Sequence, residues 1–144
     1  MKVSKKTEYG IHSVLYIAYH SGAPVLLDKL SEQGVSRDYL AKVMRSLTKS
    51  GILKSSVGVS GGYILAKDPQ DITFKDIFIA CEGELEFTCA REPRRCDADD
   101  SCAIITPFKE AFSVMLAELD KTSIQNLLDK ADYTHFKLDW LKNS

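Results

Sequence analysis

At 144 residues, with 44% hydrophobic and 27% charged side chains, the chain has the length and composition of one globular domain. No apolar run approaches the ~20 residues that cross a membrane, and "MKVSKKTEYG" lacks the apolar core of a secretory signal. A cytoplasmic, reducing location is therefore expected, where clustered cysteines serve metal or redox chemistry rather than structural disulfides. The formal net charge of -1 hides an asymmetry: residues 1–68 carry +5 and residues 69–144 carry -6. A basic first half suits a polyanionic partner.

The first predicted element is a helix over "SKKTEYGIHSVLYIAYHSG", capped by Ser4, with Ile11, Val14, Leu15 and Ala18 at helical spacing and Gly22 ending it. A short helix follows over 27–33 and breaks at Gly34. "SRDYLAKVMRSLTKSG" starts at the N-cap Ser36, buries Leu40, Val43, Met44 and Leu47, and closes on Gly51 at the C′ position. Two helices joined through "GVS" form a helix-turn-helix. "ILKS" and "GYILA", separated by "SVGVSGG", then read as a hairpin. This is the winged-helix order. Its second helix enters the major groove and its hairpin reaches a neighbouring minor groove or the phosphates.

Residues 71–82 return to helix, with Thr73 as cap and Ile77, Phe78 and Cys81 inward. A polar segment, "CAREPRRCDADDSC", then carries Cys89, Cys96 and Cys102. Thr106-Pro107 restarts a helix, with Thr106 as N-cap, and Ile104, Phe108, Ala111, Phe112, Met115 and Leu119 form a stripe along it. The stripe suits a partner helix from a second copy; the competing reading packs it within its own domain. "TSIQNLLDK" is a final helix with a Thr122/Gln125 capping box. Residues 131–144 match no element. The predicted class is mainly α with a small β-hairpin wing, divided into a winged helix-turn-helix DNA-binding unit (1–82), a cysteine loop (83–103), and a dimerisation helix with C-terminal segment (104–144).

The reading surface is expected to comprise Ser36, Arg37, Asp38, Tyr39, Lys42 and Arg45 on the second helix, with Gly58, Ser60 and Gly61 in the wing. Residues near the start of a recognition helix reach base edges, and Lys and Arg further along hold phosphates. Singly, each is a solvated charge or a turn residue; together with the basic half they point to double-stranded DNA. A winged helix used only for protein contact is the alternative. No Ser/His/Asp set, phosphate loop or dinucleotide fingerprint is present, so an enzyme is not expected.

The cysteine spacing, C-x6-C-x5-C, matches neither the paired C-x2-C of zinc ribbons nor the C-x-x-C redox motif. Three thiolates suit a soft-metal centre and fall one short of the four ligands an iron–sulfur cluster takes. For the fourth, Cys81 sits in an apolar helical pattern and reads as core, while His20 and His135 lie near a helix end and in the tail. Glu8 and His12, four apart, share one helix face. On spacing alone they are as readily a surface charge and an ordinary helix residue.

Over about residues 1–130 the chain resembles the Rrf-type family of winged-helix iron–sulfur transcription regulators, through "KTEYGIHSVLYIA", "VSRDYLAKVMRSLTKSGILKS", "VGVSGGYILAK", "DITFKDIFIACEGE" and the three-cysteine loop. The resemblance implies a homodimer paired through the long helix after the loop, bound to a palindromic operator, and acting as a repressor that senses nitric oxide, redox state or iron–sulfur status. It implies a cluster held by Cys89, Cys96 and Cys102 between that loop and the first helix of the other subunit, with Glu8 or His12 as the further ligand. Three cysteines and Glu8 suit the four irons of a 4Fe–4S cluster; a 2Fe–2S cluster could use two cysteines with Glu8 and His12. Two positions depart from the family. The wing arginine that usually precedes the first glycine is Val57, and Cys102 is followed by "AIITPF" without a histidine. A cluster-free regulator of the same fold, sensing by cysteine oxidation or a protein partner, is the alternative.

Overall fold

The computed structural model of the chain describes residues 3–32, 34–59, 61–84 and 102–130. Within them the chain runs through α1 (Lys5–Tyr19), α2 (Leu27–Ser31), α3 (Arg37–Lys49), β1 (Leu53–Ser56), β2 (Gly62–Leu65), a 3-10 turn (Pro69–Asp71), α4 (Phe74–Glu82), α5 (Thr106–Leu119) and α6 (Ile124–Lys130). The mainly α class with one small hairpin is what the sequence predicts. The loop cysteines Cys89 and Cys96, the wing residue Ser60 and the tail 131–144 lie outside the described residues.

The helix starts follow local chemistry. Ser4 and Ser36 stand in extended backbone and their hydroxyls accept from the amides of Thr7 and Tyr39. Thr73 and Asp76 form a reciprocal capping box on α4. Gly51, with φ 76°, follows the C-cap of α3. Helix α1 ends at Tyr19, three residues before Gly22, and α2 is a turn and a half rather than the predicted seven residues.

The core lies between α1 and α3. Val14, Leu15 and Ile17 of α1 meet Leu40, Val43, Met44 and Leu47 of α3, closed over by Leu30, Ile52, Leu53, Ile72 and Ile77. Helix α6 returns to this same core: Ile124 is fully buried, its amide donates to Ile72 O at 2.9 Å, and Phe74 N donates to Thr122 O at 3.0 Å. The hairpin pairs antiparallel, Leu53 opposite Leu65 and Ser56 opposite Gly62, and Val25 adds a bridge to Tyr63.

Helix α5 differs from the rest. None of its residues is buried in the single chain, and it is fastened to α4 through Phe78–Phe112 (ring centroids 6.1 Å apart) and Lys75–Asp120 (3.1 Å). Its first residue is Thr106, not the residue after it, so Ile105 holds the N-cap position without a side-chain cap bond. The amides of Ile105 and Thr106 already turn onto Cys102 O, which starts the coil before threonine is reached. Likewise the capping pair of α6 is Ser123/Asn126, not Thr122/Gln125, because Thr122 and Ser123 are held in extended pairing with Phe74 and Thr73.

Candidate nucleic-acid interface and metal centre

Helix α3 carries two faces with different fates. Leu40, Val43, Met44 and Leu47 recur three and four apart and are buried, while Ser36, Arg37, Asp38, Tyr39, Lys42, Arg45 and Lys49 are exposed. Asp38, Lys42, Arg45 and Lys49 follow at helical spacing, so three cations line one outward stripe. Arg37 is also engaged within the chain. Its Nε donates to Asp28 Oδ1 of α2 at 2.5 Å, which raises the guanidinium pKa and ties the two helices of the motif together. The sequence pattern gave no sign of this pair. The wing tip brings Gly58 and Gly61 into one turn, Gly61 N donating to Gly58 O at 2.9 Å.

Glu8 is exposed and His12 half-buried, one turn apart on α1. Cys102 sits one turn before α5. Its thiol pKa is lowered, first by the amide of Ile105 and then by that of Ile104; loss of hydration opposes them, and the charge of Lys109 adds a smaller lowering. Amides aimed at a sulfur favour the thiolate, the form that binds soft metals and the form that is oxidised. Cys81 is the opposite case: 3% exposed between α1 and α4, with burial pushing its thiol up to about 11. It stays protonated at neutral pH and serves as a core residue, as its apolar setting predicts. Among the described residues no three His, Cys, Asp or Glu side chains stand close enough to hold a metal. Glu8 and His12 with Cys102 therefore do not form a complete site within them.

A contact network that sequence reasoning missed joins the start of α1 to the end of α4. Glu82 accepts from the hydroxyls of Ser4 and Thr7, and Lys6 Nζ donates to Cys81 O. These residues are more than seventy positions apart, so no local pattern betrays them. Glu82 is the last residue of α4, where the chain leaves toward Cys89.

A helix-turn-helix with an exposed cationic reading helix, followed by a glycine-turned hairpin, defines a winged-helix DNA-binding regulator. Residues 3–130 match the family model Rrf2, described as "Iron-dependent Transcriptional regulator". The chain belongs to the Rrf2 family, and it is a transcription regulator rather than an enzyme. It is 34% identical to Protein rrf2 of Nitratidesulfovibrio vulgaris (strain Hildenborough), over 91% of this chain and 89% of that one. Among solved structures it is similar to T. potens IscR (30% identity, TM-score 0.72, 99% of this chain and 96% of that one). It is also similar to CymR, the global cysteine regulator of B. subtilis (27% identity, TM-score 0.69, 92% and 99%). No helix among the described residues is long and apolar enough to cross a membrane.

Proposed function

We propose that the protein is a homodimeric repressor that binds a palindromic operator through α3 and the wing, and that an iron–sulfur cluster held by Cys89, Cys96, Cys102 and a side chain of α1 controls that binding. In this reading Arg37, Asp38 and Tyr39 face base edges, while Lys42 and Arg45 hold phosphates. Ser36, Gly58, Ser60 and Gly61 bring backbone and hydroxyl groups near the sugar-phosphate chain. The sensed input is nitric oxide, redox state or iron–sulfur status, and the protein works in the cytoplasm.

The observation that carries the sensing half is the placement of Cys102 one turn before α5, where the amides of Ile105 and Ile104 lower its thiol pKa. The donor set fits a cluster: soft thiolates as its principal ligands and a harder carboxylate at one corner. Glu8, exposed on α1, is the favoured non-thiolate ligand and His12 the other candidate. A cluster would supply an oxidisable, nitric-oxide-reactive iron centre. This chain's own part is to tie α1 to the cysteine segment. In a dimer that tie sets the spacing of the two α3 helices, and half-site recognition depends on that spacing. Three cysteines with Glu8 favour the 4Fe–4S form over 2Fe–2S.

A second reading also draws on Cys102. A lowered thiol pKa favours reversible oxidation, and the structural likeness to CymR, the global cysteine regulator of B. subtilis, agrees with a cluster-free thiol sensor. The two divide on metal content. For the DNA-binding half, operator sequences selected from a random duplex pool give the ligand for a salt titration. Lys42→Ala should weaken binding to every sequence and lower the salt slope by about one unit per subunit. An unchanged slope and affinity would contradict the assigned surface.

A further inference from the structure

The two most exposed large hydrophobic side chains among the described residues are neighbours at the wing tip: Val57 at 98% and Val59 at 107%. Between them Gly58 takes φ 121°, a conformation that side-chain-bearing residues avoid. Beyond them the turn is tight. A Cβ at Gly61 would stand 2.6 Å from Ser56 O and 2.8 Å from Gly58 O, so the tip keeps its shape only with glycine there. Residues 55–66 contain no charged side chain. The tip therefore offers DNA phosphates no cation of its own, in contrast to α3 beside it; the charged side chain of the hairpin is the exposed Lys54, back on β1.

We propose that this wing recognises the operator by apolar contact, with Val57 and Val59 entering the minor groove that flanks the major-groove segment read by α3. The inference rests on α3 being the reading helix. The occupant follows from continuity. Strand β1 begins four residues after α3 ends, Ile52 N donates to Leu47 O at 3.0 Å, and Ala66 N donates to Ile52 O at 2.9 Å. The hairpin and the reading helix are thus one body and dock together. Minor-groove walls are sugar and base edges, and apolar side chains wedge there readily. Valine is stiff at χ1, so little side-chain freedom is lost when it docks. The family's usual wing arginine would add a charge contact at residue 57. Valine replaces it with a contact that excludes water and is indifferent to salt.

The test is the salt dependence of binding to a selected duplex operator, measured by fluorescence anisotropy for the full-length wild type, Val57→Ser, Val59→Ser, the double serine variant, Val57→Arg and Lys42→Ala. The double serine variant should lose roughly tenfold or more in affinity, a lower bound for two valine contacts that are partly buried on docking, with the salt slope unchanged. Val57→Arg should steepen the slope by about one unit per subunit. Both valines are exposed, so the serine variants should fold as wild type. Serine variants that bind like wild type, or that change the slope, overturn the proposal. So does a double variant that alters the oligomeric state on light scattering while leaving DNA affinity intact, since the tip would then join copies of the protein. If Lys42→Ala too leaves binding untouched, α3 itself is misassigned, a separate failure that takes the wing with it.

Discussion

Tyr9 of α1 and Tyr39 of α3 meet edge to face, ring centroids 5.9 Å apart and planes at 81°. Tyr9 directly follows Glu8, and Tyr39 lies in the first turn of α3, its amide bonded to the cap Ser36. The contact joins the proposed sensing helix to the start of the reading helix. An edge-to-face pair contributes about 0.5–1.5 kcal/mol beyond its buried area, which is the lower range of a coupling energy between sites. Tyr9→Leu should leave cluster content and DNA affinity of the cluster-free protein near wild type. It should shrink the affinity ratio between cluster-loaded and cluster-free protein by about fivefold, the equivalent of ~1 kcal/mol. An unchanged ratio would remove this contact from the switch.

The Glu82 clamp carries a pH signature. Loss of some hydration beside α1 pushes its carboxyl pKa up, but the hydroxyls of Ser4 and Thr7, helped by Lys6, outweigh that and leave it below the usual carboxylate value. A carboxyl with a depressed folded pKa contributes stability that is present above the unfolded value and is lost as pH falls through the folded one. Glu82→Gln should therefore be less stable than wild type near neutrality, with the gap closing as pH drops below the ordinary carboxylate range. Urea midpoints taken across pH test this. A gap that stays constant into acid would mean the clamp acts through shape, not charge. The side chain is exposed, so solvent screening keeps the effect small.

At Gly10 the first helix passes so close to α4 that an added Cβ would stand 2.8 Å from Cys81 Sγ and 3.3 Å from Ile77 Cγ2. Gly10→Ala gains about 1 kcal/mol of helix propensity and meets an overpacking cost of about 1–3 kcal/mol. Net destabilisation is expected by chemical denaturation. The double variant Gly10→Ala/Cys81→Ala removes the shorter of the two contacts, that with Sγ, and keeps the propensity, so it should be more stable than Gly10→Ala alone. A stabilised Gly10→Ala would show that α1 and α4 do not pack this closely.

Dimerisation through α5 is testable at its outer stripe. Ile104 and Phe108 are 75% and 60% exposed, and Ala111 and Met115 follow them at helical spacing. Phe112, expected beside them, has its ring toward Phe78 of its own chain. Phe108→Glu and Met115→Glu should each yield a monomer by light scattering, because a carboxylate buried without a partner in the seam costs several kcal/mol. A variant that remains dimeric and still binds a palindromic operator would exclude this seam.

Much of the fold was legible because its signals are local. A small polar residue ahead of an apolar helical pattern gave Ser4, Ser36 and Thr73 as caps, and the three-and-four spacing of Leu40, Val43, Met44 and Leu47 separated the buried face of α3 from the reading face. The same logic missed by one residue at α5 and α6. There the start is set by where Cys102 O and the Phe74 and Ile72 backbones take up amides and carbonyls, which is tertiary information. Tyr9–Tyr39, Arg37–Asp28 and the Glu82 clamp were illegible for that reason too: each pairs residues whose sequence separation carries no periodic signal. Glu8 and His12 were found as a shared face, but only family resemblance gave that face a role.

Metal content tests the central claim most directly. Protein purified without oxygen is assayed for iron, acid-labile sulfide and visible absorption, alongside Cys89→Ala, Cys96→Ala, Cys102→Ala, Cys81→Ala, Glu8→Ala and His12→Ala. The account predicts brown wild-type protein with both iron and sulfide, loss of the cluster in each loop-cysteine variant, retention in Cys81→Ala, and a cluster in Glu8→Ala that assembles but loses iron faster to oxygen or nitric oxide. Colourless wild-type protein that still binds its operator would contradict it and leave the cluster-free thiol sensor.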